Sequence, residues 1–195
     1  VLLGPDLQRL GAAPAGVAAD PGYNTASAPY VALVSGIDGA VVPLVNSGEE
    51  IFGDMFEGIP DGIGVVPVDA THVDLYVAFE QSHVPFQGFA DFEDSSVHRV
   101  RVHVPTKQVV ELEEVLSPDE GLIRFCSAFM AGPAEGFDRW TMLVNEESDD
   151  VITVPDGAAY GADPAIAPYR QAGYTVALDV ASGEVTPIGR LGRHN

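Results

Sequence analysis

Four short valine-rich runs, each bounded by turn residues, recur as a second set of four further along the chain. No other feature narrows the fold as much. The first set is "IGVVPV" at 63–68, "VDLYVAFE" at 73–80, "VHRVRVHV" at 97–104 and "QVVELEEVL" at 108–116. The second is "LIRFCSAFM" at 122–130, "WTMLVNEE" at 140–147, "GYTVALDV" at 173–180 and "EVTPIGRL" at 184–191. Runs of this length, rich in β-branched residues and separated by turn chemistry, predict strands. The turn "VASGE" of the second set stands where the first has "VPTKQ". Each set therefore predicts one four-stranded antiparallel sheet, built twice in the same order.

Repeated four-stranded units are the sequence signature of a β-propeller, whose blades cover one another's edges around a central channel. The expectation is an all-β chain holding about two to three blades of a larger ring, which typically has about four to eight. Residues 1–50 read as an N-terminal arm with the first strands. Residues 51–195 read as blades that are incomplete without further chain. The expected partner is the remaining propeller polypeptide or another copy of the chain, because the last strand "EVTPIGRL" would otherwise present unpaired backbone groups. An eight-stranded β-sandwich is the competing architecture and needs no partner.

Composition excludes some functions. The 195 residues are 46% hydrophobic with mean hydropathy +0.14, which suits a globular chain. The 21 Gly and 15 Pro favour turns over long helices. Acidic residues outnumber basic ones 29 to 9, for a formal net charge of −20. Such a field repels polyanions, so no nucleic-acid partner is expected. Ordinary solvated acidity, a saline habitat and bound divalent cations all fit this charge. No apolar run approaches the roughly 20 residues of a membrane helix, so no membrane span is expected. The chain opens on Val1 without a signal-like apolar segment and reads as starting at a processed or trimmed end.

Within the repeat, Glu80 ends the second strand of the first unit and Glu147 ends the second strand of the other. Equivalent strand ends would bring both carboxylates to one mouth, where like charges repel unless a cation sits among them. Cys126 is the only cysteine and cannot form an internal disulfide. It is either a small buried hydrophobe or a sulfur with a chemical use. Regular alternation would put Arg124 and Ala128 on the face of Cys126, and the guanidinium would then favour thiolate. Alternation in "VHRVRVHV" separates His98 from Arg99, Arg101 and His103, so the two histidines cannot share a metal and the arginines are expected to pair with surface acids. Asp91, Glu93 and Asp94 form a polar loop without a recognised calcium spacing. There is no Walker A loop, His-Glu-x-x-His motif or nucleophile elbow.

Three segments carry a family resemblance. "FEGIPDGIGVVPVDATHVDLYVAFEQS" (56–82), "RFCSAF…WTMLVNEE" and "GYTVALDVASGEVTPIGRLGRHN" resemble, in order, segments of the PhoX-type bacterial alkaline phosphatases and their non-catalytic relatives. The resemblance covers roughly three-quarters of the chain, from about residue 50 onward. It implies a secreted or periplasmic phosphomonoesterase that depends on calcium and iron and acts on a phosphate ester. It also implies Cys126 as a thiolate ligand and Glu147 as a carboxylate ligand, with Glu146 beside it; Glu80 joins them through the repeat. The family's Asn-His-Glu is Ala78-Phe79-Glu80 here, and the link from Cys126 to the acids is longer. The segment by itself is expected to be inactive. The alternative is a non-catalytic, calcium-stabilised extracellular propeller used in assembly or adhesion.

Overall fold

A computed structural model describes residues 22–82, 93–154 and 162–190. Among these the chain is all-β, with 3₁₀ turns at Pro118–Glu120 and Pro133–Glu135 and no α-helix. The strands are β1 (Glu50–Ile51), β2 (Asp54–Met55), β3 (Pro60–Pro67), β4 (His72–Phe79), β5 (Val97–His103), β6 (Gln108–Leu116), β7 (Phe125–Ala131), β8 (Thr141–Glu146), β9 (Val151–Thr153), β10 (Tyr169–Gln171), β11 (Tyr174–Asp179) and β12 (Val185–Arg190). All eight strands expected from the repeat are present.

They form two four-stranded antiparallel sheets, in the orders β3-β4-β5-β6 and β12-β11-β8-β7. Each is a meander of successive strands, except that the hairpin β9-β10 is inserted between β8 and β11. The small hairpins β1-β2 and β9-β10 were not expected, because strands of two or three residues carry no readable period. The first strand of each sheet also starts elsewhere than expected. β3 begins at Pro60, and β7 begins at Phe125 because Arg124 has a left-handed backbone (φ 51°) that breaks the extended run. Ile123, thrown off the sheet, packs with Ile152 and Ala172.

The first sheet is a middle layer. Its central strand β4 is buried on both faces from Val73 onward. Val73, Leu75, Val77 and Phe79 face the N-terminal segment, meeting Ile51, Phe56, Tyr23, Leu44 and Val45. Phe56 lies edge-on to Phe79 at 5.1 Å, a favoured aromatic geometry. Tyr76 and Ala78 face the other way, where Met142, Val144, Val176 and Leu178 of the second sheet close the larger core. The arm expected at residues 1–50 is placed from Gly22 onward, and residues 1–21 lie outside the described residues. Tyr23 and Val109 exchange backbone hydrogen bonds of 2.7 and 2.9 Å, tying this segment to β6.

The expected pairing of the arginine stripe is present. Arg101 grips Asp74 with two hydrogen bonds of 2.8 and 2.9 Å, and Arg99 pairs with Glu111 and Glu113. His98 is turned to the opposite, buried face. No described helix is long and apolar enough to cross a membrane.

The sheets approach most closely where β3 meets β7. A Cβ at Gly62 would lie 2.6 Å from Ala128 Cβ and 2.7 Å from its backbone nitrogen; one at Gly64 would lie 2.8 Å from Met130 Cε. Gly62→Val should accordingly lower stability by about 1–3 kcal/mol through overpacking. Urea denaturation measures this, and an unchanged midpoint would show that the two strands do not touch in solution.

Candidate functional site

The two sheets share an unusual local construction where β3 and β7 begin. Ile59 and Arg124, just before these strands, have φ of 54° and 51°. The left-handed region is costly for any residue with a Cβ and most unusual for a β-branched one. The carbonyl of Ile59 accepts from the backbone N–H of Glu80 (2.9 Å), and that of Arg124 accepts from the N–H of Glu147 (2.8 Å). A bulge follows at the same place in each sheet, between Pro60 and Ile63 and between Phe125 and Ser127. Superposing the repeats thus equates Glu80 with Glu147 and Asp61 with Cys126. Bulges re-aim side chains beside sites, and these two aim an acid and a thiol at the same end of the molecule.

Backbone bonds join the two corners. The N–H of Arg124 donates to the carbonyl of Gln81 (2.7 Å). Ser95 Oγ donates to that carbonyl (2.9 Å) and accepts from the N–H of Phe125 (3.0 Å). Side chains then converge. The carboxylates of Glu147 and Asp61 lie close enough to the Cys126 thiol to act on it, and both act likewise on Glu80. The structure therefore brings together three of the four residues singled out, Glu80, Cys126 and Glu147, and adds Asp61. The clue to Asp61 in the sequence was its place in the repeat, opposite the cysteine.

The expected effect of Arg124 is reversed. Alternation fails at Cys126 because it is the bulged residue, and Arg124 is ion-paired with Asp150 at 3.3 Å. Burial first, then the charges of Glu147 and Asp61, push the Cys126 thiol up to about 12. Burial, followed by Glu147 and Asp61, likewise raises Glu80 above the ordinary carboxylate range. Both groups bind protons more tightly folded than unfolded. Their contribution to stability is therefore full in acid and is lost as pH rises through the folded pKa values.

Glu146 lies apart from this group. Alternation turns it into the core, fully buried, where Oε1 accepts from Arg170 Nη2 (2.6 Å) and the N–H of Ile123 (2.8 Å). Its Oε2 accepts from Arg170 Nη1 (3.0 Å) and from the N–H groups of Gly173 and Tyr174, both at 2.9 Å. With five donors around it, Glu146 serves as an internal brace. Arg170, also buried, had no signal in the sequence because it lies on a three-residue strand.

The donor set suits a mixed metal site in kind, since thiolate is a soft ligand and carboxylates are hard ones. Among the described residues, no three His, Cys, Asp or Glu side chains are arranged to hold one ion as they stand. Asp91 lies outside the described residues, and Glu93 is exposed. Comparison with family models, curated proteins and solved structures returned no match.

Two outcomes test this geometry. Glu146→Gln leaves Arg170 buried without its counter-charge and should cost about 3–5 kcal/mol, read as a fall in the urea midpoint. In metal-free protein, alkylation of Cys126 by iodoacetamide should keep accelerating well above pH 9, and Glu147→Gln should shift that profile to lower pH. A profile levelling off near pH 9 in the wild type would place the thiol away from the carboxylates.

Proposed function

We propose that the two sheets are adjacent blades of a β-propeller related to the PhoX-type phosphatases, and that Glu80, Cys126, Glu147 and Asp61 are its contribution to a calcium- and iron-binding site for phosphomonoester hydrolysis. The observation that carries this reading is the convergence of Glu80, Cys126 and Glu147 from equivalent corners of two equivalently built sheets. Burial and the neighbouring carboxylates of Glu147 and Asp61 raise both Cys126 and Glu80, so these two groups hold their protons. A multivalent cation would take the place of those protons. Cys126 would supply the thiolate that suits iron, and the carboxylates the oxygen ligands that suit calcium. Bound metal would supply Lewis-acid stabilisation of the transferring phosphoryl group. In this reading Glu146 holds the end of β8 so that Glu147 stays aimed at the site.

The propeller arrangement is supported by how the sheets stack. The second sheet covers the face of the first that carries Tyr76 and Ala78. By the repeat, the corresponding face of the second sheet carries Leu143 and Asn145. On it Phe129 and Ala177 flank Leu143, and Ser127, Asn145 and Thr175 form a hydrogen-bonded row. Phe129 is 55% exposed. A head-to-tail interface of this kind extends to further units, so another four-stranded sheet, from further polypeptide or a second copy, belongs on this face. Secretion to the periplasm or cell exterior follows from the same resemblance.

A second reading is favoured by the thiol itself. Held protonated up to about 12, Cys126 can serve as an ordinary half-buried residue while calcium alone bridges the carboxylates. That is the non-catalytic, calcium-stabilised propeller used in assembly or adhesion. Elemental analysis and iron-edge spectroscopy of the intact parent protein distinguish the two, together with p-nitrophenyl phosphate hydrolysis. The enzyme reading expects iron and calcium in the wild type, with Cys126→Ser losing the iron and at least a hundredfold in activity. Calcium without iron, or iron unchanged in Cys126→Ser, would overturn it in favour of the second reading.

A further inference from the structure

The inner face of the second sheet closes the larger core with Met142, Val144, Val176 and Leu178, and its other face carries a patterned apolar row. Phe129 lies opposite Leu143, and Leu143 opposite Ala177, so the row crosses β7, β8 and β11 in the order large, large, small. Phe129 stands exposed in it. Neighbouring positions in register are neutral, Thr141, Asn145 and Thr186 among them. Asp179 comes at the end of the face, where Arg139 engages it at 2.6 Å.

Other routes to a second copy are closed. The edge strand β12 holds Pro187, which has no N–H to donate, and its register shifts between Pro187 and Gly189. A proline and a bulge blunt an edge against strand addition. The far face of the first sheet lies under Ile51, Phe56, Leu44 and Val45 of the chain's own N-terminal segment, so a second copy cannot bring that face to this one head-to-tail. Charge narrows the choice further. Two chains of net charge −20 repel one another, and contact between them requires a face without opposed acids. Interface centres are depleted of charge and enriched in aromatic residues, as this face is.

We propose that two copies of this chain pair through these faces of their second sheets, related by a two-fold axis running along β8. The row is self-complementary about that axis. Rotation exchanges the two sides of Leu143, so each Phe129 comes over the partner's Ala177 and the two Leu143 side chains meet. The same rotation brings Asn145 to the partner's Asn145, and Asp179 to the partner's Ala131 rather than to a second acid. Stacked sheets lie about 10 Å apart, a gap that a phenyl ring and a methyl group fill together. Such an isologous contact closes at two copies. The face is small beside a standard interface of about 800 Å² per partner, so the pair should dissociate in the micromolar range. This pairing does not depend on the metal site, and a further blade from other polypeptide would compete for the same face.

Sedimentation equilibrium of the 195-residue chain across the micromolar range tests the proposal. The wild type should pass from monomer to dimer and stop there. Phe129→Asp should remove the dimer while leaving the circular dichroism of the monomer unchanged. Ala177→Met, which fills the space opposite Phe129 without adding charge, should weaken it tenfold or more and decides the matter if Phe129→Asp fails to fold. Raising sodium chloride from about 50 mM to about 500 mM should tighten the dimer, because salt screens the repulsion between the two acidic chains. A monomer at every concentration, a series of larger species, or a dimer indifferent to both substitutions would each overturn the pairing. So would a dimer that salt dissociates, since its contact would then be made of ion pairs.

Discussion

The site region depends on the buried pair of Glu146 and Arg170. The carboxylate draws in the backbone before β7 through Ile123, the hairpin strand β10 through Arg170, and the start of β11 through Gly173 and Tyr174. Arg170 in turn donates to the carbonyl of Gly121 at 2.6 Å and lies over the Tyr174 ring at 5.2 Å. A buried ion pair of this kind is a weak source of net stability, because desolvating both charges offsets most of their attraction. Its effect here is to fix position. Without it the backbone N–H groups of Ile123, Gly173 and Tyr174 would lose their acceptor, and the bulge at Cys126 would lose its anchor.

That anchor explains how two similar sheets come to present different chemistry. The brace acts on the second sheet, where Glu146 stands at the position that Phe79 holds in the first. Phe79 packs between Phe56 and His98 instead. One corner is therefore held by a polar knot and the other by aromatic contacts. Both still deliver a glutamate at the next residue, because the step from the last strand position to the one after it reverses the side-chain direction. The strain at Ile59 and Arg124 belongs to the same arrangement: each left-handed residue lets its carbonyl meet the N–H of that glutamate.

The negative charge of the chain is unevenly accommodated. Along β5, arginines neutralise Asp74, Glu111 and Glu113 in the interval between the sheets and solvent. Around Cys126 the positive charge at hand is Arg124, and Asp150 shares it. At His98, Glu114 approaches a buried ring, its Oε2 3.8 Å from Nε2. Around Cys126 the charge is relieved by protonation, as the raised Glu80 and Cys126 show.

Periodicity in the sequence was enough to determine the eight long strands, their division into two sets of four and the outward or inward direction of Arg99, Arg101 and His98. Those features rest on alternation and turn chemistry, which are local. The equivalence of Glu80 and Glu147 was also legible, since it needs only the repeat. Only the tertiary structure decided that Cys126 sits in a bulge, that Asp61 joins it, and that Glu146 is an internal brace while its neighbour faces the site. A bulge adds one residue without changing the hydrophobic pattern, so it leaves no periodic trace. The partner of Glu146 lies 24 residues away on a strand too short to announce itself. The sequence carries the two sheets, whereas long-range hydrogen bonds decide which side chains meet where the sheets join.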